Sequence, residues 1–173
     1  MYMPWSLETV NRVMRKNIGG ESVQWCIGRD SRFTYDGINY VVSKRVRVFP
    51  RRLIAKGWMN GIMLGCLQQE SSFWTRELYE RVGGIDISYK YAGDYQLWKK
   101  FATSASLFSL NSVLAGFRIH KGQKSGDVAS YLGETSHNSK AVKLASKCNV
   151  WKIISRLLEQ KNKHLAISVE TIE

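Results

Sequence analysis

A mixed α/β domain is the fold class that the sequence predicts, and three observations carry it. Stretches of helical period, such as Leu7 to Lys16, alternate with short β-rich runs such as "VQWCIG". Within "RFTYDGINYVV", two β-rich arms flank Asp36-Gly37, a pair suited to a tight hairpin turn. The 173 residues fit one domain, long enough to bury a core without disulfides or metal.

Taken in order, Leu7, Val10, Val13 and Met14 predict a first helix with Ser6 as its N-cap. Gly19 and Gly20 supply the left-handed conformation that closes it. "VQWCIG" reads as a short buried strand, the hairpin follows, and Val46 to Phe49 extends its sheet until Pro50 breaks it. Leu53 to Leu67 is apolar and glycine-rich, open to helix or loop. "FWTRELYERV", Phe73 to Val82, reads as a helix stopped by Gly83-Gly84. Tyr95 to Ala102 reads as another, with Leu97, Trp98 and Phe101 inward. "SLFSLNSVLAGFRIH" suggests one or two strands ending at His120, and "KGQKSG" a loop. From Ser130 to His164 the pattern is helical, with Val150, Ile154, Leu157 and Leu158 striping a lysine-rich segment. A short apolar piece, "LAISVETI", ends the pattern, and no internal repeat occurs.

Apolar residues make up 44% and charged residues 23%, ordinary globular values, and two prolines with fourteen scattered glycines argue against a low-complexity or fibrous protein. Three cysteines, Cys26, Cys66 and Cys148, are an odd number without metal-ligand spacing, which favours a reducing compartment. "MYMPWSLETV" lacks the pattern of a secretory signal. The longest uncharged stretch, Phe101 to Phe117, is interrupted by polar residues and falls short of the ~18 apolar residues of a membrane span. The formal charge of +12 draws polyanions: nucleic acid, anionic lipid or a diphosphate-bearing ligand. Basic residues gather at Arg12–Lys16, Lys44–Arg52 and Lys140–Lys163, and avoid Gly57–Phe73, which reads as core and pocket.

Three stretches hold the residue types that chemistry needs. Asp94 stands in "YAGDYQLW" at the start of a helix, where an Asp is most often a cap. The same place stabilises an anion, so a cap can also be a general base held deprotonated. His120 enters a loop with Lys121, Lys124 and Ser125 that could wrap phosphate oxygens or lend an imidazole to a metal; for an isolated histidine, plain exposure is the commoner outcome. "QQESSFW" packs amides, a carboxylate and hydroxyls before a helix, as a sugar or nucleotide pocket would, or as a capping box at Ser71 or Ser72 would.

In sequence order, "LQQESSFWTRELYERVGGIDISYKYAGDYQLWKKFA" and then "LAGFRIHKGQKS" resemble the C-terminal half of family 2 glycosyltransferases, over about Cys66 to Ser125. The weaker "MPWSLETV…VQWCIGRD…YDG" fits what precedes it there. The resemblance implies the acceptor-side part of a GT-A fold over residues 1–128, with short strands, a β-hairpin and several helices. Residues 129–173 then form a basic amphipathic helical extension. It implies that Asp94 is the catalytic base of an inverting transfer, taking the acceptor hydroxyl's proton. Gln69, Glu70, Ser71, Phe73 and Trp74 match the segment that approaches donor sugar and acceptor. Arg118, Gln123 and Ser125 lie on or beside the loop of His120, a position that in some relatives meets the metal–diphosphate. Gly93 replaces the acid that many relatives carry before the Asp. The processive synthases' Gln-x-x-Arg-Trp is absent, which points to transfer of a single sugar.

One departure is large. The family's nucleotide-binding half ends in Asp-x-Asp, which holds a divalent metal, Mn or Mg, against the diphosphate. None of Asp30, Asp36, Asp86, Asp94 and Asp127 has such a partner. The expectation is therefore an acceptor-side half. Its donor is a nucleotide sugar, its acceptor a glycan or lipid-linked glycan, and its metal that of the complete enzyme. An oligomer or a partner would supply the missing half. The expected location is cytoplasmic, with peripheral contact at the cytoplasmic face of the membrane during cell-envelope polysaccharide assembly. The alternatives are a non-catalytic module docked on a partner and, further behind, a basic nucleic-acid-binding protein; no nucleic-acid motif supports the last, and none is expected as ligand.

Overall fold

The computed structural model describes residues 1–34, 40–61, 64–120, 123, 126–135, 156–157 and 160–168. They form a mixed α/β arrangement of short strands and helices, as the patterning predicts. Helix α1 spans Ser6–Met14 and leads to a small hairpin of β1 (Asn17–Ile18) and β2 (Glu21–Ser22). Next come β3 (Trp25–Ile27), β4 (Ser31–Phe33), β5 (Tyr40–Val42) and α2 (Arg51–Ala55). A 3-10 turn, Gln69–Ser71, runs into β6 (Ser72–Trp74) and α3 (Arg76–Arg81). Helix α4 (Gly93–Ser104), β7 (Phe108–Leu110), β8 (Phe117–Arg118), α5 (Val128–Glu134) and β9 (Ala166–Ile167) follow.

The main sheet has the order β6-β3-β7-β9, with β6 antiparallel to β3 and the other pairs parallel. Strand β3 is central because all three of its side chains are apolar and buried, the pattern of a strand covered on both faces. Alternation along β3 sends Trp25 and Ile27 to one side and Cys26 to the other. On the first side they meet Leu97, Trp98 and Phe101 of α4 and Leu53 and Ile54 of α2. On the second, Cys26 joins Val13 of α1, Phe108, Leu110 and Ile167. Burial pushes the Cys26 thiol up to about 12, so it is inert packing. Strand β9, from within the 129–173 segment, completes the edge of this sheet and buries Leu165 and Ile167 in the second core.

A second sheet, β5-β4-β8, pairs β4 with β5 in the register Phe33↔Tyr40 and β4 with β8 in parallel. These are the arms that the hairpin signal predicts; the Asp36-Gly37 turn lies outside the described residues. Helices α2 and α4 pack together. The Arg51 guanidinium donates to the carbonyls of Ala102 (2.7 Å) and Thr103 at the end of α4, where unpaired carbonyls attract a cation.

Several local expectations are corrected. Ser6 is not an N-cap but the first residue of α1, buried, with its hydroxyl donating to Met3 O (2.7 Å) and Leu114 O. Leu7 faces solvent, while Ser6, Thr9 and Val13 face inward. Gly19 and Gly20, at φ +61° and +82°, turn the β1–β2 hairpin rather than cap α1, which ends at Met14. Val46–Phe49 is not a strand, although Val48 and Phe49 are buried. The helix expected from Phe73 begins at Arg76, because Phe73 and Trp74 pair with Cys26 and Trp25 in β6. Its N-cap is Thr75, whose hydroxyl accepts the Leu78 N–H at 3.2 Å, rather than Ser71 or Ser72. Gly83 and Gly84 do close it, both at positive φ. Of the long tail helix, α5 is described, Leu157 is exposed, and Val150, Ile154 and Leu158 lie outside the described residues.

Candidate functional site

The candidate base sits at the start of α4. Asp94 lies inside the first turn, not at the N-cap, which is Ala92 and has no capping side chain. Its Oδ1 accepts the Tyr95 N–H at 2.7 Å, so the carboxylate satisfies one of the orphan donors of the helix start from within. Tyr95 and Leu97 to its C-terminal side are buried, and Asp94 itself is half-buried. Desolvation raises its pKa above the usual carboxylate value; the N–H groups of Tyr95 and Asp94 oppose the rise, and the like charge of Glu70 adds to it.

Glu70 reaches this place because the 3-10 turn Gln69–Ser71 carries it there. That turn is held by two neighbouring side chains. The Gln68 carboxamide accepts the Ser31 N–H at 3.0 Å and donates to Ser31 O at 2.8 Å, so it extends the edge of β4 as a backbone would. Ser71 is fully buried and donates to Ala115 O at 2.8 Å, beside Ser31 at 2.7 Å. Gly28 N–H donates to Ser71 O at 3.0 Å. A side chain at Gly28 would meet Leu114 and Ser112 O within 3 Å, so only glycine permits this approach. Removing the Glu70 charge should ease ionisation of its neighbour: Glu70→Gln is expected to lower the Asp94 pKa, read by carboxyl NMR titration, and an unchanged value would separate the two groups.

The other expected site residues divide. Gln69 is exposed on the same turn as Glu70. Ser71 is fixed on a main-chain carbonyl, so its hydroxyl braces the turn. Phe73 and Trp74 alternate on β6: Phe73 meets the second core and the Tyr2 ring at 5.8 Å, whereas Trp74 packs on Trp98 at 5.4 Å and Phe101 at 5.7 Å. They therefore do not share one wall. Arg118 ends β8, and His120, exposed just beyond it, donates its N–H to Gln123 Oε1 at 2.9 Å, which brings those two together in a turn. Ser125, Lys121 and Lys124 lie outside the described residues.

The structure adds residues that sequence reasoning did not place in the site. Arg47 lies 3.7 Å from Asp30 and donates to Leu64 O at 2.6 Å. Desolvation raises the Asp30 pKa, opposed by Arg47 and Arg32. Cys66 is raised by desolvation, then by Asp30; Arg47 and Arg32 oppose, and Asp94 adds a smaller rise. The Tyr131 phenol of α5 is raised by desolvation and next by Asp94. Asp94, Glu70, Cys66, Asp30, Arg32, Arg47 and Tyr131 thus belong to one electrostatic neighbourhood. The only sequence signal was the avoidance of lysine and arginine across Gly57–Phe73; residues from five separate segments meet through the fold.

Among the described residues, no three His, Cys, Asp or Glu side chains converge as a metal site. They do not by themselves fit the divalent ion that the resemblance implies. Nor is any helix among them long and apolar enough to cross a membrane.

No family model matches the chain, and no solved structure does. Over 110 residues it is 26% identical to a protein of Rickettsia prowazekii (strain Madrid E) named "Uncharacterized glycosyltransferase RP339". The similarity covers 64% of this chain and 29% of that protein, so the chain spans less than a third of its relative's length. At this distance, the chain is similar to a protein named a glycosyltransferase, and the half-buried carboxylate at the head of α4 is the feature whose chemistry such a likeness brings into question.

Proposed function

We propose that this chain is the acceptor-side part of an inverting, nucleotide-sugar-dependent glycosyltransferase of family 2, with Asp94 as the general base. The observation that carries the reading is the place of Asp94: a half-buried carboxylate in the first turn of α4, its Oδ1 held by the Tyr95 N–H at 2.7 Å, where desolvation raises its pKa. A base that is harder to ionise than an ordinary Asp is also a better proton acceptor once ionised. In the proposed step, the acceptor hydroxyl gives its proton to Asp94 as its oxygen forms a bond to the anomeric carbon. The nucleoside diphosphate departs from the opposite face with the bonding electrons. The similarity to a protein named a glycosyltransferase supports the class, and the ordered motifs from Cys66 to Ser125 support the family.

Donor binding, with its metal, falls to residues supplied by a partner or by another part of a longer chain. The acceptor is a glycan or a lipid-linked glycan. Basic residues give peripheral contact with anionic lipid at the cytoplasmic membrane face. The experiment is transfer from a panel of nucleotide sugars, with the chain assayed alone and in extract of its own cells. A product of inverted anomeric configuration is expected. Retention of configuration would overturn the assignment, because a single base opposite the leaving group cannot produce it.

A further inference from the structure

Helix α5 bears a set of contacts that the transfer step does not use. Asp127, Tyr131 and Glu134 are spaced by four and three residues, which places them along one side of the helix. That side meets the segment leading into α4. Asp127 caps α5, accepting the Ser130 N–H at 3.1 Å and its hydroxyl at 2.7 Å, and also bonds the Tyr91 side chain. Glu134 Oε1 accepts the Lys90 N–H at 3.0 Å, and Oε2 accepts those of Tyr91 and Ala92 at 2.8 Å each. Between them, the Tyr131 ring meets the Tyr95 ring edge-on at 6.3 Å, next to Asp94.

Three consecutive main-chain donors on one carboxylate make a charge-assisted clasp. Ala92, the N-cap of α4, has no capping side chain, and its own N–H, just ahead of the first donors of the helix, goes to a residue 42 positions away. Desolvation pulls the Glu134 pKa up, yet the three N–H groups, with Lys90, outweigh it and hold the group below its ordinary value. Glu134 is thus charged throughout the neutral range, the form that accepts these three hydrogen bonds best.

We propose that α5 is a strap laid across the approach to Asp94, with Glu134 as its latch and Tyr131 as the cover beside the carboxylate. When latched, Glu134 fixes Lys90–Ala92 and so sets the pose of Asp94, while Tyr131 keeps water from it. Unlatched, the strap lifts and the acceptor hydroxyl gains access. The functional meaning rests on Asp94 as base; the geometry does not.

The test uses the full 173-residue chain as parent, Glu134→Ala, Glu134→Gln and Tyr131→Ala. It reads amide hydrogen exchange at Lys90, Tyr91 and Ala92 and the Asp94 carboxyl pKa by NMR. Glu134→Ala should speed exchange at all three amides by roughly tenfold, the size expected when a local opening loses its hydrogen bonds. The same variant should lower the Asp94 pKa as water returns. Glu134→Gln, which keeps one good acceptor oxygen, should fall between. Tyr131→Ala should lower the Asp94 pKa while leaving the three amides protected, a split that a general loss of stability does not produce. Unchanged exchange in Glu134→Ala overturns the latch. An Asp94 pKa that moves in neither Glu134→Ala nor Tyr131→Ala overturns the strap. Should Glu134→Ala fail to fold, Glu134→Gln and Tyr131→Ala decide the same two points. Neither readout requires sugar transfer, so this inference and the base assignment stand or fall separately.

Discussion

Asp94→Asn is expected to abolish transfer, by about 10²- to 10⁴-fold in rate, the contribution typical of a positioned general base. The amide keeps an oxygen for the Tyr95 N–H, which Asp94 accepts at 2.7 Å, so the start of α4 should hold. What is lost is the proton acceptor. The acid side of the parent's rate profile should also lie above that of an ordinary Asp, since desolvation raises the pKa of Asp94. As pH falls through that raised value, the base is protonated and the rate declines.

Stability should move the other way. A carboxylate whose folded pKa exceeds its unfolded value contributes stability that is fully present below the unfolded pKa and lost as pH rises through the folded one. At neutral pH the ionised group therefore works against folding, and the neutral amide should match or exceed the parent in stability. Below the ordinary carboxylate range that difference should shrink. A variant that transfers at the parental rate sinks the base assignment, and one that unfolds shows the carboxylate to be structural.

The second large effect is expected at the core. Phe101 is fully buried, with ring centroids 5.3 Å from Trp25, 5.7 Å from Trp98 and 5.7 Å from Trp74. Four rings from α4, β3 and β6 thus tie the helix that carries Asp94 to two strands of the main sheet. Phe101→Ala removes the common neighbour and leaves a cavity, at a cost of ~3–5 kcal/mol. Since whole domains are stable by only ~5–15 kcal/mol, the transition in urea should fall markedly, or the variant should fail to fold. A loss under ~1 kcal/mol would mean that the cluster repacks freely and does not anchor α4.

Much of the architecture was legible because local pattern and tertiary environment agree there. The stripe Leu97, Trp98, Phe101 faces the core as its spacing predicts, and the apolar run at Trp25–Ile27 is the central strand. Where local pattern and structure part, the reason differs from place to place. Phe73, Trp74 and Leu78 satisfy a helical period, but strand β3 offered Phe73 and Trp74 a ladder of main-chain hydrogen bonds, and pairing outweighs propensity. Val48 and Phe49 are buried by packing without any strand partner. Gly19 and Gly20 can turn a hairpin as readily as end a helix, because the same positive φ serves both.

By itself the sequence determined the mixed class, the inward face of α4, the strength of the positive charge and Asp94 as the carboxylate to watch. Only the tertiary structure decided what surrounds it: Glu70 carried in by a turn braced on Gln68 and Ser71, and Glu134 and Tyr131 brought from α5. The reason is range. Periodicity and capping are encoded within a turn or two of chain, whereas desolvation and charge depend on which distant segments pack together, and no local spacing records that.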